Sequence, residues 1–257
     1  MISRLTAITL NTFREAVRDR VLYNLILFVL LLVASAPLFG QISIGMERLI
    51  LVNVGLSSIS LFGVIIAIFI GIGLVSKEIE KKTLYTILSR PVRRWEFIVG
   101  KYLGLIMTLV VNTALMTAGF YIALTITNGL HKTDALLLVA IYFTVLQFLI
   151  VTALTVLFST FSSPIFSAIF AFALFVIGTF AEDLKNFAAI SKGAAKLLAT
   201  AAAYLMPNFA SLNVIAQTAH DQGVGGRLIL FNTLYAMLYS ASAVAAAVLI
   251  FERRNLK

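Results

Sequence analysis

Residues 135–181 read ALLLVAIYFTVLQFLIVTALTVLFSTFSSPIFSAIFAFALFVIGTFA and contain no Asp, Glu, Lys or Arg. A helix that crosses a bilayer needs about 20 predominantly apolar residues, so this run is too long for one such helix. The polar run STFSSP at 159–164 divides it into two segments, 135–158 and 164–181. The stretch therefore predicts two consecutive membrane helices joined by a tight turn.

Four further charge-free stretches predict spans at about 21–39, 53–75, 102–127 and 228–250, which makes six. The segments are continuously apolar rather than alternating, which favours helices over a β-barrel. Hydrophobic residues make up 61% of the chain and charged residues 12%, against roughly 45–50% and 25% in soluble domains. The fold class is therefore an all-α integral membrane protein with one transmembrane domain, 1–257.

The distribution of positive charge predicts the orientation of the spans. With both termini in the cytoplasm, fourteen of the 20 Lys and Arg residues lie on the inner side and six on the outer side. Cytoplasmic loops of membrane proteins carry such an excess. The net charge of +9 is then a topology signal and an attraction to anionic membrane lipid, so we expect no nucleic-acid partner.

Two segments outside the spans have helical periodicity. Residues 3–20 predict an amphipathic helix at the cytoplasmic interface, either a lipid anchor or an elbow that touches a cytoplasmic partner. Its predicted apolar face consists of Leu5, Thr6, Thr9, Phe13, Ala16 and Val17. Residues 182–227 predict short external helices before the last span, on or partly within the outer leaflet.

The sequence has no pattern that predicts catalysis or a metal site. It lacks cysteine, has two histidines outside any ligand cluster, and contains no Gly-x-x-x-x-Gly-Lys-Ser/Thr phosphate-binding loop. We therefore expect no catalytic residue, metal or cofactor in this chain.

The predicted spans also lack ionisable residues, which weighs against a proton- or ion-coupled carrier. Their neutral polar residues are expected mainly to form hydrogen bonds between helices. Some are candidates to line a pathway: Asn53, Ser57, Asn112, Gln147 and Asn232.

The connection between the second and third spans carries the most informative motif, KEIEKKTLYTILSRPVRRWEFIVGK at 77–101. It resembles the permeases of the type-2 ABC exporter family, whose pattern is an acidic residue, Gly-Thr, a leucine-rich turn, Ser/Thr-x-Pro, basic residues and Gly-Lys. Lys82 stands where that family usually has glycine. The matching positions are Glu78, Glu80, Thr83, Leu84, Leu88, Ser89, Pro91, Arg93, Arg94, Gly100 and Lys101.

The resemblance implies the membrane-spanning subunit of an ATP-driven exporter in the inner membrane of a prokaryote. Two permease chains, identical or related, would pair to form the path. Separate cytoplasmic ATPase subunits would bind ATP and Mg. Segment 77–97 would contain the coupling helix that docks on the ATPase, through Glu78, Glu80, Thr83, Leu84, Leu88, Arg90, Arg93 and Arg94.

Two other readings of the sequence stay open. The chain could be a non-transporting assembly or sensory subunit that works with an ATPase. The chain could also be an ATP-independent carrier, but the absence of charged residues from the predicted spans disfavours this function.

The topology predicts opposite labelling of two introduced cysteines. Lys192→Cys should react with a membrane-impermeant thiol reagent in intact cells, because 182–227 is expected outside, whereas Lys257→Cys should not. The chain has no native cysteine to interfere. Labelling only at position 257 would reverse the predicted orientation.

Overall fold

A computed structural model describes residues 2–18, 46–80, 93–127, 129 and 131–253. The predicted first span, 21–39, and residues 81–92 of the predicted coupling segment lie outside the described residues. The described part of the chain consists of helices and their connections and contains no β-strand.

The helices are α1 (Ile2–Arg18), α2 (Glu47–Glu80), α3 (Arg94–Thr127), α4 (Leu137–Phe161), α5 (Pro164–Thr179), α6 (Ala181–Ile190), α7 (Gly193–Leu205), α8 (Ile215–Ala219) and α9 (Gly226–Arg253). Two short 3-10 helices, Lys132–Leu136 and Ala210–Leu212, precede α4 and α8.

Among the described residues, four helical segments are long and apolar enough to cross a membrane: Arg48–Gly73, Arg94–Thr127, Thr133–Phe161 and Gly226–Arg253. Two bent pairs pass the same test only when each is taken together. Helices α5 and α6 meet at 59°, and α7 meets Ala210–Ala219 at 43°. The described part therefore holds four spans, or up to six if each bent pair is one span.

Helix α4 lies at the centre of the bundle and contacts α2, α3, α5 and α9. Phe143, Ile150, Ala153 and Val156, spread along α4, have no exposed surface. The largest apolar core joins α4 to buried side chains of α2 and α3, such as Ile59 and Phe120. Helix α5, by contrast, is a peripheral helix that exposes most of its apolar side chains.

Most polar side chains in the bundle bond to their own helix, which differs from the expected bonds between helices. The hydroxyl groups of Thr108, Thr113, Thr144 and Thr155 each donate to the carbonyl oxygen four residues earlier, at 2.7–3.0 Å. A hydroxyl in an apolar bundle is stabilised by any acceptor, and the carbonyl of the preceding turn is always within reach. These residues therefore need no partner on a neighbouring helix.

Polar contacts fasten both ends of the bundle. At one end, Arg94 Nη1 donates to the carbonyl oxygens of Phe251 and Glu252, at 3.2 and 2.9 Å, and so joins the start of α3 to the end of α9. A cation at a helix C-terminus satisfies carbonyls that have no partner within the helix. At the other end, Arg48 at the start of α2 contacts His131 and the carboxylate of Asp134. Each end thus joins segments that the charge distribution predicts on the same side of the membrane.

Helix α1 packs along the first half of α3. Lys101 on α3 is only 2% exposed, and its Nζ lies 3.5 Å from Glu15 Oε2 on α1. The most buried side chains of α1 are Thr12 and Ala16, while Thr6 is exposed. The contact face is therefore rotated from the one predicted by periodicity, because Gly100 and Gly104 on α3 admit Ile8 and Thr12 at close range, with Glu15 at the edge of the contact.

Gly104 allows the close approach of α1 and α3. A Cβ atom at this position would lie 2.6 Å from Thr12 Cβ and 2.7 Å from the carbonyl oxygen of Thr9. The second of these is a backbone atom and cannot rotate away. The absence of a side chain at 104 is therefore required for the observed packing.

We expect Gly104→Ala to separate α1 from α3 and to destabilise the protein by ~1–3 kcal/mol, the usual cost of overpacking. Thermal denaturation and limited proteolysis that releases α1 would measure the effect. Gly226→Ala is the matched control, because nothing lies within 4 Å of its added Cβ. Equal stability of the two variants would contradict the described docking of α1.

Candidate functional site

A cavity of about 190 Å³ lies between α2, α4, α5 and the loop that follows α7. It brings together two of the predicted pathway residues, Ser57 and Gln147. The lining consists of Ser57, Ser60, Leu61, Thr144, Gln147, Phe175, Thr179, Phe209, Ala210, Leu212, Asn213 and Ile215.

The polar wall of the cavity is formed by two helices. Ser57 and Ser60 are three residues apart on α2, and Thr144 and Gln147 are three apart on α4, so each pair lies on one helix face. Ser60 Oγ donates to Gln147 Oε1 at 3.4 Å, a long hydrogen bond between the two helices. Gln147 is only 6% exposed. It is thus an amide held inside the bundle beside the cavity.

The opposite wall is built by the loop between α7 and α8. The Phe209 backbone N–H donates to the Gly178 carbonyl at 3.0 Å, and the Asn208 N–H donates to the Tyr235 hydroxyl at 2.8 Å. The Phe209 ring packs on the Phe175 ring with centroids 5.5 Å apart. These contacts fix the loop to α5 and α9, so the cavity has a defined wall.

Gly178 near the end of α5 is the position that admits this loop. A Cβ atom there would lie 2.3 Å from the Pro207 carbonyl oxygen and 2.5 Å from the Phe209 ring. Pro207-Asn208-Phe209 lies within 182–227, the segment that the sequence predicts as external. Its role as a wall of the cavity depends on contacts with α5 and α9 that no local pattern displays.

The other three predicted pathway residues lie outside this cavity. Asn53 and Asn232 donate from Nδ2 to the carbonyl oxygen four residues earlier, at 2.9 and 3.2 Å. Asn112 is buried in α3, and its Nδ2 has no hydrogen-bond partner among the described residues. The structure therefore places only Ser57 and Gln147 at a common site.

Four polar residues that line the cavity were not among the predicted pathway residues: Ser60, Thr144, Thr179 and Asn213. Ser60 and Thr144 follow from Ser57 and Gln147 by the three-residue spacing of a helix face, a signal that the sequence does contain. Thr179 and Asn213 have no such signal, because they reach the cavity through the bend after α5 and through the loop between α7 and α8.

The predicted coupling residues fall into three groups. Glu78 and Glu80 lie in the last turn of α2, which continues without a break from the predicted second span. Thr83, Leu84, Leu88 and Arg90 lie outside the described residues. Arg93 directly precedes α3, and its backbone N–H donates to Glu96 Oε2 at 3.0 Å. Arg94 contacts the end of α9, as described above.

Comparison with protein families matches residues 6–256 to the family described as ABC-2 family transporter protein. The chain belongs to the ABC-2 family of transporter proteins. The family resemblance drawn from residues 77–101 is therefore confirmed. This ABC-2 protein is a multi-pass membrane protein and a permease component of an ABC transporter, not itself catalytic. A sequence comparison with curated proteins gives no match.

We expect Gly178→Ala in this ABC-2 protein to displace the loop at Phe209 and to lower stability by ~1–3 kcal/mol, since the added methyl group overlaps a backbone atom. Thermal denaturation would measure the loss. Gly225→Ala is the control, because nothing lies within 4 Å of the added Cβ. Phe209→Ala removes a buried ring and should itself lower stability. In that background Gly178→Ala should still carry a cost, because the clash with the Pro207 carbonyl remains. No further cost in that background would show that the ring alone conflicts with the new methyl group.

Proposed function

We propose that this ABC-2 protein is the membrane-spanning subunit of an ATP-driven exporter and that separate cytoplasmic chains bind ATP and Mg and hydrolyse the nucleotide. The observation that carries the proposal is the family match over 6–256 in a sequence that has no phosphate-binding loop. A permease of this kind needs an energy source outside its own chain. The proposed location is the inner membrane of a prokaryote, with both termini in the cytoplasm.

The length of α2 supports coupling through segment 77–97. Its 34 residues span about 51 Å, whereas the hydrocarbon core of a bilayer is about 30 Å thick. One or both ends of α2 therefore extend beyond the apolar layer. We assign the end at Glu80 to the cytoplasmic side, where the following residues would meet the ATPase.

The packing of α3 offers a route for movement from that contact into the membrane. Helix α3 begins at Arg94, directly after the coupling segment, and Arg94 binds the end of α9. The same half of α3 holds α1 through Gly104 and Lys101. A displacement of segment 77–97 would thus move α1, α3 and α9 together, because α3 contacts α9 through Arg94 and contacts α1 through Gly104 and Lys101.

The proposed transport path forms when two permease chains pair, either as a homodimer or as a related heterodimer. The neutral polar cavity supports transport over a purely force-transmitting or sensory role, because Ser57 and Gln147 line an open space in the bundle and Gln147 also accepts a hydrogen bond from Ser60. A sensory subunit would have no need for such a space in the bundle.

The helical hairpin α6–α7 suits the outer leaflet of the membrane. Helix α7 packs against α6 and buries only Ala199 and Ala203 among its residues. Leu197, Leu198 and Leu205 on α7 are each more than 65% exposed. Helix α6 exposes Glu182, Asp183 and Lys185 as well as Phe187 and Ile190. We propose that α7 faces lipid and that α6 lies at the boundary between lipid and water.

The coupling assignment predicts the effect of two leucine substitutions. Leu84→Ala combined with Leu88→Ala should weaken ATPase association and lower transport, because each truncation removes ~1–3 kcal/mol when an interface leucine is well buried. Co-purification of the ATPase from membranes and its substrate-stimulated hydrolysis would measure the loss. Membrane insertion should be unchanged.

The matched control is Leu197→Ala with Leu198→Ala, two exposed leucines on α7 that the topology puts on the opposite side of the membrane. This control should retain the ATPase. If the Leu84 and Leu88 double variant inserts, binds the ATPase and transports as the unmodified protein does, segment 77–97 is not the coupling element.

A further inference from the structure

The cavity between α2, α4 and α5 combines neutral hydrogen-bonding groups with aromatic walls. Ser57, Ser60 and Gln147 provide hydroxyl and amide groups, and the Phe175 and Phe209 rings provide an apolar surface. Both hydroxyl and amide groups act as donors and as acceptors. The cavity can therefore satisfy a ligand that presents either kind of group.

Among the described residues that line the cavity, none is Asp, Glu, Lys, Arg or His. A charged ligand would lose part of its hydration without gaining a counter-charge from the lining, which disfavours its binding. An uncharged ligand loses less on leaving water and regains hydrogen bonds from the wall. The lining thus selects against ions of either sign.

The volume restricts the size of the bound group. An apolar cavity of about 150 Å³ accommodates a benzene ring, and this cavity measures about 190 Å³. One six-membered ring with a few substituents fits such a space. The rest of a larger ligand would have to extend outward past Leu61, whose side chain is 46% exposed.

We propose that this cavity binds an uncharged, ring-sized group that carries hydroxyl or amide functions, with Ser57, Ser60 and Gln147 as its hydrogen-bond partners. Such a group occurs in free sugars and in the headgroups of neutral glycolipids. The assignment of this ligand as transported substrate rests on the proposed function. The binding itself depends only on the cavity.

The absence of cysteine from the chain gives a direct test of charge selectivity. Ser57→Cys in lipid nanodiscs is treated with three methanethiosulfonates that carry a hydroxyethyl, a trimethylammonium or a sulfonate group. The neutral reagent should react at least about tenfold faster than either charged one, after normalisation to Lys192→Cys on the exposed hairpin. Equal relative rates at the two positions would overturn the proposal.

A second arm tests binding through protection of Ala210→Cys from the neutral reagent, since Ala210 lines the cavity but is not one of the assigned hydrogen-bond partners. Hexyl glucoside below its micelle concentration should slow labelling, whereas hexanoate and hexyltrimethylammonium should not. Protection by free glucose as well assigns the site to soluble polyols, and protection by hexyl glucoside alone assigns it to a lipid-like ligand. Failure of both sugars to protect would overturn the proposal.

Gln147→Met, which keeps the side-chain volume but removes the amide, should reduce protection, and Ser60→Ala should do so independently. Asn53→Leu is the control on α2 outside the cavity and should leave protection unchanged. Undiminished protection in both cavity variants would contradict the assigned partners. None of these measurements requires an ATPase, so their results stay valid if the protein is not an exporter. Transport without charge selectivity at the cavity would refute only the proposed ligand class.

Discussion

The satisfaction of polar groups inside an apolar bundle is the constraint on which the rest of this structure depends. Lipid offers no hydrogen-bond partner, so backbone groups bond within their helices. The same rule governs the side chains of Thr108, Thr113 and Thr155, which bond to their own preceding turns. The hydrogen bond from Ser60 to Gln147 instead joins two helices, as do those of the Tyr102 and Tyr142 hydroxyl groups. It lies beside the cavity.

Close packing at glycine holds the helices together. Membrane helices gain little from the hydrophobic effect among themselves, so contact at short range has greater weight. The Phe148 ring of α4 occupies the space that a side chain at Gly63 of α2 would need. Gly104 serves α1 in the same way, and Gly178 serves the loop at Phe209. The cavity lies between α2, α4 and α5, where the loop between α7 and α8 packs against the bundle.

The two ends of the bundle have different chemical roles. One end combines the start of α3, the end of α9 and helix α1 through Arg94 and Lys101, and adjoins the segment that we assign to the ATPase. The other end carries the contacts of Arg48 and the hairpin α6–α7. The cavity is near this second end, ten residues along α4 from its first residue. A movement of α2 or α4 would therefore link the coupling segment to the cavity.

The sequence by itself determined the helical membrane class, the four predicted spans that coincide with single long helical segments, and the family, because apolar length and a local motif are properties of contiguous residues. It also pointed to Ser57 and Gln147 as polar groups in an apolar setting. Only the tertiary structure decided which face of α1 packs on α3, and that Ser57 and Gln147 line one cavity while Asn53 and Asn232 bond within their own helices. It also placed Phe209 in the wall of the cavity. Helical periodicity shows which residues share a face of a helix. Which face is buried depends on the shape and charge of residues that are distant in sequence, such as Gly178 and Lys101.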